Sequence, residues 1–337
     1  MLRILTPCFL ALALAALSCT PAEPAEENAP GRVTPEIQYT LTKDQTHNKF
    51  SSAIPPILRV PSGSVIEAFT EDASDEQFQP GSGLAAIDSL DFEPIHPLTG
   101  PVFVEGAEPG DVLKVTLHEV EVGDWGWNAI TPGFGFLADT IDTKYLRTYE
   151  LSPGQEFVQF NENIRVPIRP FPGVMGVAPE TEEMLSTIPP RANGGNMDDP
   201  NMTAGTVVYF PVFVEGALFS IGDGHATQGL GEVCGTAVEA PLRIVYEVEV
   251  VKGMSLAEPQ YETADYYATT GFAPTIDEAA RKATVYMIEY LKGAHGLSTE
   301  EAYALCSLAG DLKIAEVVDV PNMLVCMHMS KEVLGVE

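Results

Sequence analysis

The chain has 337 residues, enough for one large domain or two ordinary ones. Hydrophobic residues make up 45% and charged residues 20%, which is the composition of a packed globular protein rather than a disordered chain. With 48 Asp and Glu against 18 Lys and Arg the net charge is −30, which argues against nucleic acid and against docking on anionic lipid through a basic patch.

The amino terminus, MLRILTPCFLALALAALSCTPAEP, has one basic residue, an apolar run too short to span a bilayer, and then small residues up to Cys19. This reads as a signal peptide over residues 1–18. Ala16-Leu17-Ser18-Cys19 resembles a bacterial lipoprotein signal, with Cys19 as the lipidated new terminus, although Ala16 stands where leucine is usual. An ordinary cleaved signal with an incidental cysteine is the alternative. Residues 19–35 are rich in Pro, Ala and Glu and suit a disordered tether. The expectation is an exported, cell-envelope protein that touches the membrane only through its anchor. Cys234, Cys306 and Cys326 follow; one bridge, Cys306–Cys326, or buried free thiols are both compatible with so few cysteines.

From residue 36 onward, EIQYTLTKDQTH, VPSGSVIEAFTED, PVFVEGAEPGDVLKVTLHEVEVGD and PLRIVYEVEVVKG alternate polar with β-branched or aromatic residues, the signature of strands. Residues 73–99 and 125–200 read mostly as loops with short strands. The string PVFVEGA occurs at 101–107 and again at 211–217, which suggests related strands in two halves of a β architecture. After Ala264 the composition changes. TIDEAARKATVYMIEYLKGAHG carries apolar residues at helical spacing between a cap at Thr275 or Asp277 and Gly293 or Gly296, and STEEAYALCSLAGDLKIAEV repeats the pattern. The expected fold is therefore mainly β (α+β): a sandwich-like core with internally related halves over 36–264, and a helical region over 265–337 packed upon it.

The chain's chemistry concentrates between Ser220 and Glu239, SIGDGHATQGLGEVCGTAVE, where Asp223, His225, Gln228, Glu232 and Glu239 are interleaved with glycines. Glycine at nearly every second position permits positive φ and close approach, so this segment reads as a shaped loop held by the apolar run VVYFPVFVEGALF before it. Asp223-Gly-His225 alone matches any capped turn; together with Gln228 and Glu232 it favours a site. Other polar clusters are His47-Asn48-Lys49, Asp72, and GGNMDD at 194–199 with Asn196, Asp198 and Asp199, for which a surface turn is the alternative. Trp125-Gly-Trp127 and Phe134-Gly-Phe136 offer an aromatic wall. Carboxylates with imidazole suit a divalent ion, zinc first among them. His96, His118, His295 and His328 read as structural, as do Glu105 and Glu215 within the repeated string. Between Lys144 and Lys252 there is no lysine, which weakens Ser-Ser-Lys and Cys-Glu-Lys amidase designs. Cys234 reads as buried rather than as a nucleophile.

Five segments carry a resemblance: HNKFSSAIPPILRV, HPLTGPVFVEGAEPGDVLKV, PIRPFPGVMGVAP, STIPPRANGGNMDD and FPVFVEGALFSIGDGHATQGLGE. In this order, from His47 to Val251, they are similar to the acetamidase/formamidase family. The resemblance implies a β-sandwich with added helices, hydrolysis of short linear amides to a carboxylate and ammonia, dependence on a divalent metal such as zinc, and a homo-oligomer. Carried onto this chain, it implies His47, Asp72, Asp198, Asp223 and His225 as metal ligands, and Glu232, His225 and Asp223 as catalytic. Asn196, Gln228, Trp125 and Phe134 would bind substrate. The family pattern has Asp where this chain has Leu230, so a catalytically reduced binding protein for a small amide or cation, or a hydrolase of cyclic amides or carbamates, stands as the alternative.

Overall fold

Alternation decides the first sheet. The computed structural model describes residues 34–336, so the signal peptide, most of the tether and Cys19 lie outside the described residues. In strand Val112–Val122, Leu113, Val115 and Leu117 point into the core while Lys114, Thr116 and His118 lie at its margin. Beyond this point the inward set becomes Val120 and Val122, a change of phase. The cause is a bulge: against strand Leu242–Val251, Tyr246 faces Leu117 and Val245 faces Glu119, so His118 is the extra residue. Nine strands form this sheet, in the spatial order Tyr39–Leu41, Ser64–Phe69, Leu242–Val251, Val112–Val122, Val207–Pro211, Gln260–Glu262, Tyr266–Ala273, Met323–Ser330 and Gly310–Glu316.

A second nine-stranded sheet holds Gly194–Asn196, Phe171–Gly176, Phe219–Thr227, Val238–Glu239, Trp125–Ile130 and Tyr145–Glu150 in order, with Leu98–Val104 beside Phe219–Thr227. Inward residues of both sheets, among them Leu113, Val115, Ile244, Met175, Phe219 and Ile221, form one apolar cluster. At about 25 cal/mol per Å² of apolar surface, its burial is the main stabilising term. The fold is thus the expected mainly-β sandwich.

The carboxyl-terminal region is less helical than its composition suggests. Helices α1 (Ile276–His295) and α2 (Thr299–Ala309) are flanked by strands Tyr266–Ala273, Gly310–Glu316 and Met323–Ser330, which extend the first sheet. α1 starts where the Thr275 side chain accepts from Glu278 N and stops at Gly296, whose φ is +67°. Of its buried stripe, Ala283, Met287 and Leu291 pack with Ala302 and Cys306 of α2 on Tyr267, Met327 and Met329 of the sheet, and Ala279 packs on Ala273 and Val325. Cys234, Cys306 and Cys326 are all free thiols, so the Cys306–Cys326 bridge is not formed.

The two copies of PVFVEGA lie side by side. Val104 N donates to Gly216 O and Gly216 N to Ala107 O, both at 2.9 Å. Gly106 and Gly216 both have positive φ, and a Cβ on Gly216 would enter the Phe103 ring at 2.1 Å. The strings differ in element, because Pro101–Val104 is strand whereas only Pro211 of the second copy is. Glu105 and Glu215 are exposed at these turns, away from the site below.

Candidate active site

The segment expected to be a glycine-rich loop is, up to Thr227, a strand buried along its whole length, Phe219–Thr227. Its glycines serve close approach: a Cβ on Gly224 would lie 2.3 Å from Ala240 O, and one on Gly222 would lie 2.5 Å from Pro97 O. The apolar run before it is strand only over Val207–Pro211. On the neighbouring strand, Phe171 faces His225 and Pro172 faces Gly224; on the other side His225 pairs with Glu239, and Glu239 with Trp127. This register brings His225, Glu239 and Trp127 to one place.

A cavity of about 50 Å³ opens over this stretch. Asn196, Asp198, Asp223, His225, Glu232, Glu239 and Asp319 make its polar end, and Phe78, Phe92, Trp127, Phe134 and Ile188 its apolar wall. Asp198, Asp223, His225 and Asn196 are each at most 2% exposed, so GGNMDD is no surface turn. His225 Nε2 lies 3.0 Å from Glu239 Oε2 and 3.5 Å from Asp223 Oδ2, and its Nδ1 lies 3.7 Å from Asp198 Oδ1. Two sets of ligand atoms within 4.8 Å of one another, Asp198/His225/Glu232 and Asp223/His225/Glu239, share the imidazole and could hold a metal. Gly173 makes room for them, since a Cβ there would sit 2.4 Å from Asp198 Oδ1, 2.8 Å from His225 Cε1 and 2.9 Å from Asp223 Oδ2.

Gln228 supports the imidazole from behind. Its Nε2 donates to Asp198 O at 2.7 Å, which turns its Oε1 to His225 Nδ1 at 2.8 Å. Because Asp198 O can only accept, the amide orientation is settled, and Nδ1 carries the proton. Nε2 is thereby left toward the carboxylates. Gln228 does not line the cavity.

Charge is heavily one-sided here. Burial, then the neighbouring carboxylates, push Glu232 and Asp319 well above the usual carboxylate range, and Asp198 is raised to about 8 by the same causes against the pull of His225. Burial also raises Glu239. Asp223 is the exception: burial opposes its charge, but His96 and His225 outweigh it and hold the carboxyl at about 2. His225 is disfavoured as a cation by burial, yet Glu239 and Asp223 raise it well above its ordinary value. Four cavity residues, His96, Asp198, Asp223 and Glu232, have φ between 40° and 54°, a strained conformation that local packing must hold.

Three expected site residues lie elsewhere. Asp72 accepts from Ser74 N (2.9 Å), Glu76 N (3.0 Å), the Ser74 hydroxyl and Trp127 Nε1 (2.9 Å), so its oxygens are committed to shaping the 72–76 turn and fixing the indole. His47 Nε2 bonds Ser220 Oγ at 2.8 Å, outside both ligand sets. Trp125 does not line the cavity; Trp127, two residues on, does, and meets Phe78 edge to face at 4.7 Å. Cys234 lies outside the cavity lining, with Sγ toward Thr236 O at 3.3 Å. Leu230 is 48% exposed and outside it as well, so the missing acid removes no ligand from the cluster.

His96, Asp319, Glu316 and Gly173 were not among the candidates. Asn196 Nδ2 donates to Asp319 Oδ2 at 2.8 Å, and Glu316 Oε2 accepts from Val318 N and Asp319 N, which fixes that turn. His96 is set by its N–H donating to Ala73 O at 2.9 Å. The histidine opening HPLTG was visible; the 319 turn had no signal beyond two acids in an apolar run.

Fold and cavity together define a β-sandwich protein with carboxylates gathered round one buried imidazole. The Acetamidase/Formamidase family's sequence model matches residues 33–186 and 181–335, and the chain belongs to that family. It is 28% identical to the acetamidase of Mycolicibacterium smegmatis, over 80% of this chain and 89% of that one. It is 26% identical to the formamidase of Methylophilus methylotrophus, over 86% and 89%. A crystal structure of a predicted acetamidase/formamidase from Thermoanaerobacter tengcongensis superposes with a TM-score of 0.83 at 37% identity, covering 89% of this chain and 97% of that one. The chain is an amidase.

Proposed function

We propose that this amidase is a metal-dependent hydrolase of primary carboxamides, releasing ammonia and a carboxylate. The observation that carries the reading is the buried acid cluster. Asp198 Oδ1, Asp223 Oδ1 and Glu239 Oε2 are buried without hydrogen-bond partners around His225, and Gly173 keeps the space between them clear. Buried unpaired carboxylates are costly, and a divalent cation is the partner that answers several at once. The donor set therefore fits the ion, with Asp223, Glu239 and His225 Nε2 as its holders. A bound divalent ion supplies Lewis acidity and lowers the pKa of water, and carboxylate with imidazole suits zinc.

The residues do the rest. Gln228 keeps His225 in one tautomer. Glu232, once ionised, accepts a proton from the attacking water and returns it to the leaving nitrogen; burial and the neighbouring acids, by raising its carboxyl, make it the stronger base. Asn196 Oδ1 and the Asp319 carboxyl supply acceptors for an unsubstituted –NH₂, and Phe134 with Trp127 excludes water around it. Export and lipidation at Cys19 belong to the same proposal and rest on the amino-terminal sequence. Self-association is supported by the open edge strand Gly310–Glu316, whose Leu312 is 51% exposed.

The test is ammonia release from formamide, acetamide and propionamide, before and after chelation and after Zn²⁺ is restored. Chelator-sensitive release that metal recovers is the expected result, with Glu232→Gln lowering kcat at least about 100-fold. Turnover indifferent to chelation and to Glu232→Gln would remove the metal and the proton carrier together.

A further inference from the structure

We infer that the acyl group of the physiological substrate is larger than acetyl and apolar, and that it lies in a groove continuous with the catalytic cavity; this rests on the amidase reading above. The groove has a volume of about 540 Å³ and shares Phe92, Phe134 and Ile188 with the cavity wall. Phe92 and Phe134, with ring centroids 6.0 Å apart, stand at the junction. Beyond them Phe136, Val318 and Val320 continue the surface. None of the eleven lining residues has a polar side chain, on a protein whose net charge is −30. Phe136 is 53% and Val320 67% exposed, an arrangement that leaves apolar surface in water unless something covers it.

Chemistry at the two ends orients the ligand. The inner end is rich in acceptors and fits –CO–NH₂, so the carbon substituent must leave past Phe92 and Phe134 into the groove. The groove is also tied to the catalytic loop: Phe136 N donates to Val233 O at 3.0 Å, next to Glu232, and a Cβ on Gly235 would strike the Phe134 ring at 2.4 Å. Val318 directly precedes Asp319 of the cavity. An acyl chain in the groove therefore bears on the segments that place Glu232 and Asp319. The class assigned is primary amides of medium linear or aryl acids, such as hexanamide or phenylacetamide.

The experiment compares acetamide with hexanamide on the full chain, in wild type and in Met323→Ser and Val320→Ser, whose side chains line the groove and not the catalytic cavity. Burial of each methylene contributes up to about fourfold, so kcat/KM for hexanamide is expected to exceed that for acetamide at least tenfold, chiefly through KM. Each serine variant should cut that advantage about three- to tenfold while leaving acetamide within about twofold. Acetamide preferred by the wild type, or both substrates changed alike by the variants, overturns the inference and leaves the amidase reading intact. If neither amide turns over, the amidase reading fails, and calorimetry judges the groove: hexanamide bound no more tightly than acetamide overturns it, whereas tighter binding weakened by Val320→Ser sustains it. A groove covered by a second copy would show as a dimer that Val320→Ser dissociates, with no hexanamide advantage, and that also overturns it.

Discussion

Gly173 shows how much of this site is decided by an atom that is not there. Its φ lies outside the left-handed region, so alanine costs the backbone little. The added Cβ would collide with Asp198 Oδ1, His225 Cε1 and Asp223 Oδ2. Gly173→Ala should therefore lower kcat/KM at least about 100-fold through misplaced groups, while thermal unfolding shifts by only a few degrees. Loss of activity accompanied by wholesale unfolding would show instead that the position is structural. His47 makes the opposite case, a half-buried histidine outside the cluster. Burial lowers it to about 4, so it stays neutral at pH values where the unfolded chain's histidine is charged. Folding is then penalised as pH falls from about 6.5 to about 4, by about 3 kcal/mol in all, and the penalty is absent above that window. His47→Gln retains a donor for Ser220 Oγ and has no such charge. Denaturant titrations at pH 7 and pH 4.5 should show a smaller acid loss in the variant; equal losses would place the titration elsewhere. The sequence revealed Asp223, His225 and Glu232 because they share one short run. It could not separate Trp125 from Trp127, which have the same strand parity, and positive φ at His96 leaves no mark on composition.

At the scale of elements, strand periodicity read the architecture well wherever one face meets water. Val112–Val122 and Leu242–Val251 alternate and were legible. Phe219–Thr227 is buried on both faces and filled with glycine, so neither alternation nor β-branched residues marked it, and it read as a loop. Met323–Ser330 was hidden for a similar reason, being buried along nearly its whole length. The bulge at His118 carries a sharper consequence. The inward residues 113, 115 and 117 change to 120 and 122 because one residue is extra. Deleting His118 would bring all five into one phase and give an unbroken ladder, whereas deleting Val115 would turn Leu113 outward. The first deletion should yield folded protein, less stable by about 1–3 kcal/mol, and the second should yield none that is soluble. Expression and thermal unfolding of the two decide it; equal damage would mean that the bulge itself, rather than the phase, holds the strand. A milder check on the helical layer is Ser298→Ala. The Ser298 hydroxyl and Glu301 form a capping box on α2, so about 1 kcal/mol should be lost with activity unchanged.

Over the whole molecule, the acid excess and the cavity belong to one electrostatic argument. A net charge of −30 attracts cations at long range, an attraction that falls with salt, and the cavity concentrates unscreened carboxylates at one point. Without a cation, Asp198, Glu232, Glu239 and Asp319 are all raised and hold protons that a divalent ion must displace. Metal binding is then proton release, and the sign follows: affinity rises with pH while those groups still hold protons, Asp198 doing so up to about 8. For each proton displaced, the apparent affinity for Zn²⁺ should increase about tenfold per pH unit between pH 6 and 8. Calorimetry in two buffers of different ionisation enthalpy counts the protons directly. Chelation should also lower the unfolding temperature, since the ion binds only the folded cluster. Asp198→Asn should reduce both the proton count and the chelator-induced shift. Zinc binding that is flat across this pH range and releases no proton would mean that the acids are ionised before any ion arrives, and something other than the metal would then have to balance their charge.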